Sequence, residues 1–168
     1  MHTVIAIDIG VRNISLCVYD QMLSMITFWE NMPLMHGRYV PHQNVEYVHK
    51  FVEKHSELFK NANAIVIERQ MRCNMRIIES VLQSLFFDRA IVVSPRSVKS
   101  HYDLGTRNYR ENKQKAVEFA QDFVEHNTIV LAPEALSSWR LAKKKDDLAD
   151  SLITVLYYLD TYSNQLTG

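Results

Sequence analysis

The sequence predicts an α/β fold, with a five-stranded mixed sheet flanked by helices on both faces. Near the N-terminus, three segments rich in β-branched and aromatic residues follow one another with only short connections between them. This spacing is typical of three strands in an antiparallel meander. Two short apolar segments then alternate with amphipathic segments of helical period, which is typical of a mixed sheet with helices packed on it.

The predicted strands are short, rich in residues that favour β-structure, and bounded by turn-forming residues. The first, TVIAIDI, ends at Gly10, and the last, AIVV, is terminated by Ser94 and Pro95. In chain order the strands are predicted over residues 3–9, 14–19, 22–29, 64–67 and 90–93. Residues 31–43 contain two Pro and one Gly and are predicted to form a loop.

The predicted helices carry apolar residues that recur every three or four positions, as Ile77, Ile78 and Val81 do. Apart from a short basic helix near residues 96–101, the helices are predicted over residues 44–60, 74–87, 112–126 and 146–159. Residues 129–143 are predicted to be irregular or briefly helical. Because no repeat or long linker divides the chain, we expect a single domain over residues 1–168.

The composition, 47% apolar and 23% charged, argues against a mostly disordered chain. The longest apolar runs, such as 64–67, are far shorter than the about 20 residues of a membrane helix, so no membrane association is expected. The N-terminus has no basic region and its apolar run contains Asp8, so no secretory signal is expected. Cys17 and Cys73 are therefore expected to be reduced thiols rather than a disulfide.

The charges are balanced in total but unevenly distributed along the chain. Lys and Arg number 19, as do Asp and Glu, which gives a formal net charge of zero. Counted by segment, the net charge is −2 over residues 1–68, +6 over residues 69–115 and −4 over residues 116–168. The zero total therefore does not exclude a nucleic-acid partner, because the middle segment is strongly basic.

Acidic residues stand at the ends of two predicted strands. Asp8 lies near the end of the first strand, and Glu68 ends the otherwise apolar strand AIVIE. An unpaired buried carboxylate is costly, so such residues more often face a crevice at the carboxyl edge of a sheet. For either residue taken singly, a capping or loop-pairing role is the alternative.

A third acidic group, Asp146, Asp147 and Asp150, lies at the start of the last predicted helix. Acids in a first helical turn favour the helix dipole by about 0.3–1 kcal/mol each, but this does not explain the acids at the strand ends. Carboxylates from two strands and one helix can surround two hard cations about 3.5–4 Å apart. Oxygen ligands favour Mg²⁺ or Mn²⁺ over zinc.

Three sequence segments together, IDIGVRNIS, VIERQMR and KKKDDLADS, resemble the acidic motifs of RuvC-like resolvases in the RNase H-like superfamily. The closest resemblance is to the poxvirus Holliday junction resolvases, and it covers nearly the whole chain. It implies an RNase H-like fold with Asp8, Glu68, Asp147 and Asp150 as metal ligands. Asp146 is the alternative to Asp147, because the DD pair leaves the register ambiguous by one residue.

The resemblance also implies an enzyme that makes paired nicks in four-way junctions and other branched DNA, resolving viral replication and recombination intermediates. Two Mg²⁺ ions per active site, replaceable by Mn²⁺, would support phosphodiester hydrolysis. Because a four-way junction is two-fold symmetric and needs paired cuts, a homodimer is expected. The implied compartment is the host cytoplasm.

Basic residues are expected to contribute both to catalysis and to DNA binding. From the run at residues 143–145, Lys145 is predicted to offset negative charge in the transition state, the alternative being a solvated loop that contacts phosphate. Tyr102 and Tyr109 are candidates for stacking on bases, although such tyrosines more often pack or anchor loops. The predicted DNA-binding residues, which could instead form a plain solvated face, are Arg69, Arg72, Arg76, Arg96, Lys99, Arg107, Arg110, Lys143 and Lys144.

Three other functions compete with this interpretation. Asp8-Ile9-Gly10 also resembles the start of actin- and Hsp70-like ATPases, which suggests a sugar- or nucleotide-binding ATPase lobe. That fold needs two lobes and glycine-rich phosphate loops, and this chain has one lobe's length and four Gly. A junction-binding module without catalysis would need no intact acidic set. A ribonuclease acting on RNA–DNA hybrids is a nearer alternative, because it uses the same acidic chemistry.

Overall fold

A mixed β-sheet of six strands lies between two layers of helices in the described residues, 3–126 and 129–162 of this computed structural model. In chain order the strands are β1 (Thr3–Ile9), β2 (Asn13–Asp20), β3 (Met25–Pro33), β4 (Ala62–Glu68), β5 (Ala90–Val93) and β6 (Val130–Leu131). Across the sheet their order is β5-β4-β1-β2-β3-β6. The predicted α/β class is confirmed, whereas the predicted count of five strands is one too low.

The first three strands form the predicted antiparallel meander, and β4 and β5 extend it in parallel beside β1. The third strand begins later and ends later than residues 22–29. The Asp20 carboxylate accepts hydrogen bonds from the backbone N–H groups of Met22 and Leu23, which creates a turn where a strand was predicted. Ser24 then has a positive φ of 47°, which completes that turn before β3 begins.

Helices cover both faces of the sheet, as predicted. They are α1 (Asn44–Lys54), α2 (Ser56–Lys60), α3 (Cys73–Leu85), α4 (Pro95–His101), α5 (Tyr109–His126), α6 (Pro133–Leu141) and α7 (Asp146–Thr161). Buried side chains of α1, α2 and α3 pack on one face of the sheet, and those of α4, α5, α6 and α7 pack on the other. A short 3₁₀ turn, Pro41–Gln43, precedes α1 within the predicted loop.

The alternation of side chains along β1 and β4 determines which residues face α7. Ile5 and Ile7 point into the core under α1 and α3, whereas Val4 and Ala6 point into the core under α7. The same alternation holds in β4, where Val66 lies on the α7 side. Since side chains repeat every second residue in a strand, Asp8 and Glu68 fall on the α7 face.

Two predicted segments differ from the structure. The helix predicted over residues 44–60 is interrupted at His55, after which Phe59 contacts Phe51 and stacks on Phe86 with ring centroids 5.1 Å apart. The apolar spacing is helical on both sides of the break, so the sequence does not signal it. The segment predicted as irregular or briefly helical, 129–143, contains the two-residue strand β6 and the nine-residue helix α6.

Two expectations about the whole chain can be compared with the described residues. Within residues 3–126 and 129–162, no helix is both long and apolar enough to cross a membrane. Cys17 is buried and Cys73 is exposed, and both are free thiols.

Candidate active site

A cleft of about 510 Å³ opens where β1 and β4 end. The two strands are parallel, and Ile7 pairs with Ile67, so the next residues, Asp8 and Glu68, lie side by side at the same edge. Neighbouring strands are about 4.8 Å apart, which brings the two side chains close together. Both carboxylates line the cleft, as the strand-end positions predicted.

The first turns of α7 bring two more carboxylates, Asp147 and Asp150, to the same cleft. This end of the helix is anchored to the sheet by buried hydrogen bonds. The Trp29 indole N–H donates to the backbone carbonyl of Leu148 at 2.9 Å. The hydroxyls of Ser15 and Ser151 lie 3.0 Å apart, and Ser15 is the cross-strand partner of Asp8. The helix acids are thus fixed relative to the strand acids.

The clustered carboxylates disfavour one another's ionisation. Burial, followed by the charges of Glu68, Asp150 and Asp147, raises the pKa of Asp8 well above its usual range. Burial and Asp150 raise the pKa of Glu68 to about 7. Burial also raises the pKa of Asp150. The site therefore holds excess negative charge that a bound cation would relieve.

Lys99 is the cation that opposes this repulsion most directly. It is carried by α4, and its Nζ lies 3.6 Å from Oδ1 of Asp150, with the two side chains 18% and 12% exposed. Its ammonium group lowers the pKa values of Asp8, Glu68 and Asp150 against the larger effect of burial. From the sequence, Lys99 was predicted to bind DNA, and its position beside the carboxylates was not predicted.

Two further lysines pair with the acids at the start of α7. Lys144 Nζ lies 2.9 and 2.8 Å from the two carboxylate oxygens of Asp147. Lys113, on α5, donates a hydrogen bond to Asp146. Although partial burial opposes it, this contact with Lys113 lowers the pKa of Asp146. Both lysines line the cleft.

The chemistry of the donor set fits hard divalent cations, because four carboxylates face one cleft and three of them carry raised pKa values. Within residues 3–126 and 129–162, no group of three or more Asp, Glu, His or Cys side chains is already arranged to hold a metal ion. A divalent cation bound between these side chains would relieve their mutual repulsion.

The structure distinguishes Asp146 from Asp147, the two residues between which the sequence left the metal ligand undecided. Asp146 contacts Lys113 and Lys144 and does not line the cleft, whereas Asp147 does. Lys145 also lies outside the cleft lining, with its Nζ 4.7 Å from the centre of the Trp139 ring. The structure thus places Asp147, and not Asp146, with the other three carboxylates.

The predicted DNA-binding residues are divided among several surfaces. Those that line the cleft are Arg69, Arg72, Lys99 and Lys144. Arg76 instead lines a groove between α1 and α3, and Arg96 lines depressions beside α4. Arg107 and Arg110 are exposed around the start of α5, and Lys143 borders a depression between α5 and α7.

The two candidate tyrosines occupy different environments. Tyr109 lines the cleft, is 70% exposed, and has the Lys113 ammonium 5.2 Å from the centre of its ring. The Tyr102 hydroxyl instead donates to Asp160 at 2.6 Å, and burial together with that hydrogen bond raises the pKa of Tyr102. Only Tyr109, of the two, borders the cleft and is available there to a base.

The site also contains residues that were not among the predicted site residues. Arg12 lines the cleft while it donates to the carbonyl of Gly37 at 2.7 Å. The Asn31 amide lies 3.4 Å from Oδ2 of Asp147. Gly10, which also borders the cleft, closes the β1–β2 turn, where a Cβ would stand 2.8 Å from the backbone oxygen of Asn13. The glycine of Asp-Ile-Gly is therefore needed for a tight turn.

Three solved structures share this fold. The yeast mitochondrial Holliday junction resolvase Ydc2 has a TM-score of 0.72 and 21% identity, covering 97% of this chain and 85% of its own. The fowlpox virus resolvase in complex with Holliday junction DNA has a TM-score of 0.69 and 17% identity, and the match covers 95% of this chain and 97% of the resolvase chain. T. thermophilus RuvC in complex with a Holliday junction substrate has a TM-score of 0.57 and 12% identity, and the match covers 97% of this chain and 98% of the RuvC chain.

Two sequence comparisons bear on the family of this chain. In the first, no curated protein sequence matches the chain. The profile of one family, described as the poxvirus A22 protein, matches residues 2–161, which is nearly the whole chain. The fold is that of the RuvC-like resolvases, as the three acidic segments implied, and the chain belongs to the poxvirus A22 protein family.

Proposed function

We propose that this protein is a Holliday junction resolvase, a structure-selective DNA endonuclease that hydrolyses phosphodiester bonds in four-way junctions and other branched DNA. The observation that carries the proposal is the convergence of Asp8, Glu68, Asp147 and Asp150 in one cleft bordered by basic side chains. The solved structures of this fold include two resolvases in complex with Holliday junctions. The family match supports the same activity.

The four carboxylates are proposed to hold two Mg²⁺ ions, which Mn²⁺ would replace. When bound, such ions lower the pKa of a water molecule and offset charge on the departing oxygen. Asp8, at the centre of the sheet, is positioned between the Glu68 side and the α7 side of the cleft. Its raised pKa means that deprotonation and metal binding are coupled, so activity should require a pH at which these acids ionise.

The cationic side chains have separable roles in this proposal. Lys99 favours the ionised form of the carboxylates and adds positive charge where negative charge accumulates during phosphodiester cleavage. The catalytic role predicted for Lys145 stays a prediction, which the position of that residue over Trp139 does not favour. Arg69, Arg72 and Lys144 border the cleft and are proposed to contact the phosphates of the junction arms.

The assembly and location of the enzyme are part of the same proposal. A four-way junction is two-fold symmetric and is resolved by two cuts, so a homodimer with two active sites matches the substrate. Residues 1–168 are proposed to form one catalytic domain. Because the chain belongs to a poxvirus family, we propose that it resolves viral DNA replication and recombination intermediates. We propose that this reaction takes place in the host cytoplasm.

Two neighbouring aspartates provide a matched test of the active-site assignment. In a cleavage assay with a synthetic four-way junction and Mg²⁺, Asp147→Asn is expected to lower the rate by about 1,000-fold or more, because it removes a metal ligand. Asp146→Asn removes the same charge one residue away, outside the cleft lining, and is expected to retain most of the rate. Equal activity of Asp147→Asn and the unaltered protein would contradict the assignment.

An RNA–DNA hybrid in the same assay distinguishes the nearest alternative activity. Preferred cleavage of the hybrid would indicate a ribonuclease H. Tight junction binding without cleavage in either Mg²⁺ or Mn²⁺ would indicate a binding module. The family match and the match to the fowlpox virus resolvase over 95% of the chain give no support to the ATPase alternative.

A further inference from the structure

Glu79, on α3, is a buried carboxylate outside the cleft whose two hydrogen bonds both come from neutral donors. The residue is 3% exposed, and burial of a carboxylate is costly unless donors satisfy its oxygens. Oε2 accepts a hydrogen bond from the backbone N–H of Gln70 at 2.7 Å, and Oε1 accepts one from the side-chain amide of Gln83 at 3.0 Å. The shorter bond therefore connects Glu79 on α3 to Gln70, which lies in the loop before this helix.

Gln70 connects Glu79 to the cleft. It is itself buried, and its side-chain amide donates to the backbone carbonyl of Glu68 at 2.9 Å. The residues between β4 and α3, 69–72, have no regular secondary structure, so side-chain hydrogen bonds must supply part of their order. Glu79 thereby restrains the chain immediately after a proposed metal ligand.

The same segment presents basic side chains to the cleft. Arg69 and Arg72 line it, and the Arg69 backbone N–H donates to the carbonyl of Val93 at 2.9 Å, which fixes one end of the segment to β5. The bond from Gln70 to Glu79 fixes its middle. The direction in which Glu68 and both arginines leave the backbone therefore depends on these two attachments.

We propose that Glu79 is a positioning residue for junction cleavage, which acts by holding Gln70 and, through it, the backbone of Glu68. The inference rests on the proposed function for its effect on cleavage, but the restraint itself is testable without it. Loss of groups that orient metal ligands typically costs about 10- to 100-fold in activity or metal affinity. A comparable loss is expected when Glu79 can no longer accept the Gln70 N–H.

Three variants separate the hydrogen bond from the charge. Glu79→Ala leaves the buried Gln70 N–H without its acceptor. Glu79→Gln keeps an acceptor oxygen for Gln70, and Gln83 can rotate its amide to accept from the new NH₂ group. Gln83→Ala is the matched control, because it removes the other hydrogen bond of Glu79 and leaves the bond to Gln70 in place.

The experiment measures hydrogen exchange of the Gln70 amide in EDTA together with kcat and KM for junction cleavage in Mg²⁺. For Glu79→Ala we expect amide exchange at least about tenfold faster and a kcat about 10- to 100-fold lower, with KM changed less than about threefold. Glu79→Gln and Gln83→Ala are expected to stay within about threefold of the unaltered protein in every quantity. A purely structural loss would not be confined to kcat or rescued in this way.

Unchanged Gln70 exchange or unchanged kcat in Glu79→Ala would overturn the inference, and so would a Glu79→Gln variant as impaired as Glu79→Ala. If Glu79→Ala does not fold, Gln70→Ala removes the bond to the Glu68 carbonyl, leaves the Gln70 N–H bonded to Glu79, and is expected to lower kcat. An unchanged kcat in that variant would also overturn the inference. If the unaltered protein does not cut junctions, the proposed function fails, and Gln70 exchange still decides whether Glu79 holds the segment.

Discussion

At the scale of single residues, the active-site acid Asp150 is paired with a charge, that of Lys99, which the sequence does not place near it. Asp8, Glu68 and Asp150 were predictable, because acids at strand ends and in a first helical turn are unusual as a set. Lys99 was not, because its proximity to Asp150 arises from the packing of α4 on α7. In the sequence, Lys99 lies in the basic segment 69–115, which indicates DNA binding and not a position beside carboxylates.

The raised pKa values of these acids predict how the stability of the metal-free protein depends on pH. An acid whose pKa is raised in the folded state stabilises the fold while it is protonated, and this contribution is lost as the pH rises through the folded-state pKa. For Glu68, with a pKa of about 7, stability should therefore fall between about pH 4.5 and pH 7. The effect of this residue is on the order of 3 kcal/mol.

Urea unfolding in EDTA at several pH values tests this dependence. Glu68→Gln should flatten the decline and be more stable than the unaltered protein at pH 7. Glu46→Gln is the control, because the hydrogen bond from Lys50 lowers the pKa of exposed Glu46 and its removal should not flatten the decline. A Glu68→Gln protein that is less stable at pH 7 would contradict the electrostatic description.

The two lysine candidates can be compared directly. Lys99→Met should raise the pKa values of the clustered acids, shift the acidic limb of the cleavage rate by about one pH unit to higher pH, and lower the rate at pH 7 at least about tenfold. Lys145→Met should leave the pH profile in place, because Lys145 lies over Trp139. Rate–pH profiles of both variants provide the measurement, and the opposite ranking would restore the catalytic role predicted for Lys145.

At the scale of secondary-structure elements, the long periodic segments were predictable and the short ones were not. The strands of the meander and the helices α3, α5 and α7 follow hydrophobic periodicity. The strand β6 has two residues, too few for a period, and it exists because Val130 and Leu131 pair with β3. In the same way, the β2–β3 turn depends on hydrogen bonds to Asp20 rather than on apolar pattern.

The attachment of α7 to the sheet predicts a stability effect at Trp29. This residue is fully buried, stacks on Trp139 with ring centroids 4.8 Å apart, and donates to the Leu148 carbonyl. Trp29→Phe removes that hydrogen bond and leaves a cavity, so the free energy of unfolding should fall by about 2 kcal/mol. Urea denaturation measures the change.

The control for this prediction is Phe87→Leu, a substitution at an aromatic residue that is 84% exposed. It should change the free energy of unfolding by less than about 0.5 kcal/mol. A Trp29→Phe protein as stable as Phe87→Leu would indicate that the start of α7 is held by other contacts.

At the scale of the whole molecule, a net charge of zero coexists with a basic border around an acidic cleft. The sequence predicted the uneven distribution, because residues 69–115 alone have a net charge of +6. It did not predict which of these side chains share the cleft. Arg69 and Arg72 do, whereas Arg76, four residues further along, faces the groove between α1 and α3. That difference arises where the loop after β4 becomes a helix.

We propose that the carboxylate cleft makes paired cuts in four-way DNA junctions. To test this, each strand of a synthetic junction is labelled in turn, and the nicks made in Mg²⁺ by the unaltered protein and by Asp150→Asn are mapped. We expect nicks at symmetry-related positions on two opposing strands with the unaltered protein and none with Asp150→Asn. Unpaired nicks, an intact junction, or equal cleavage by Asp150→Asn would contradict the claim.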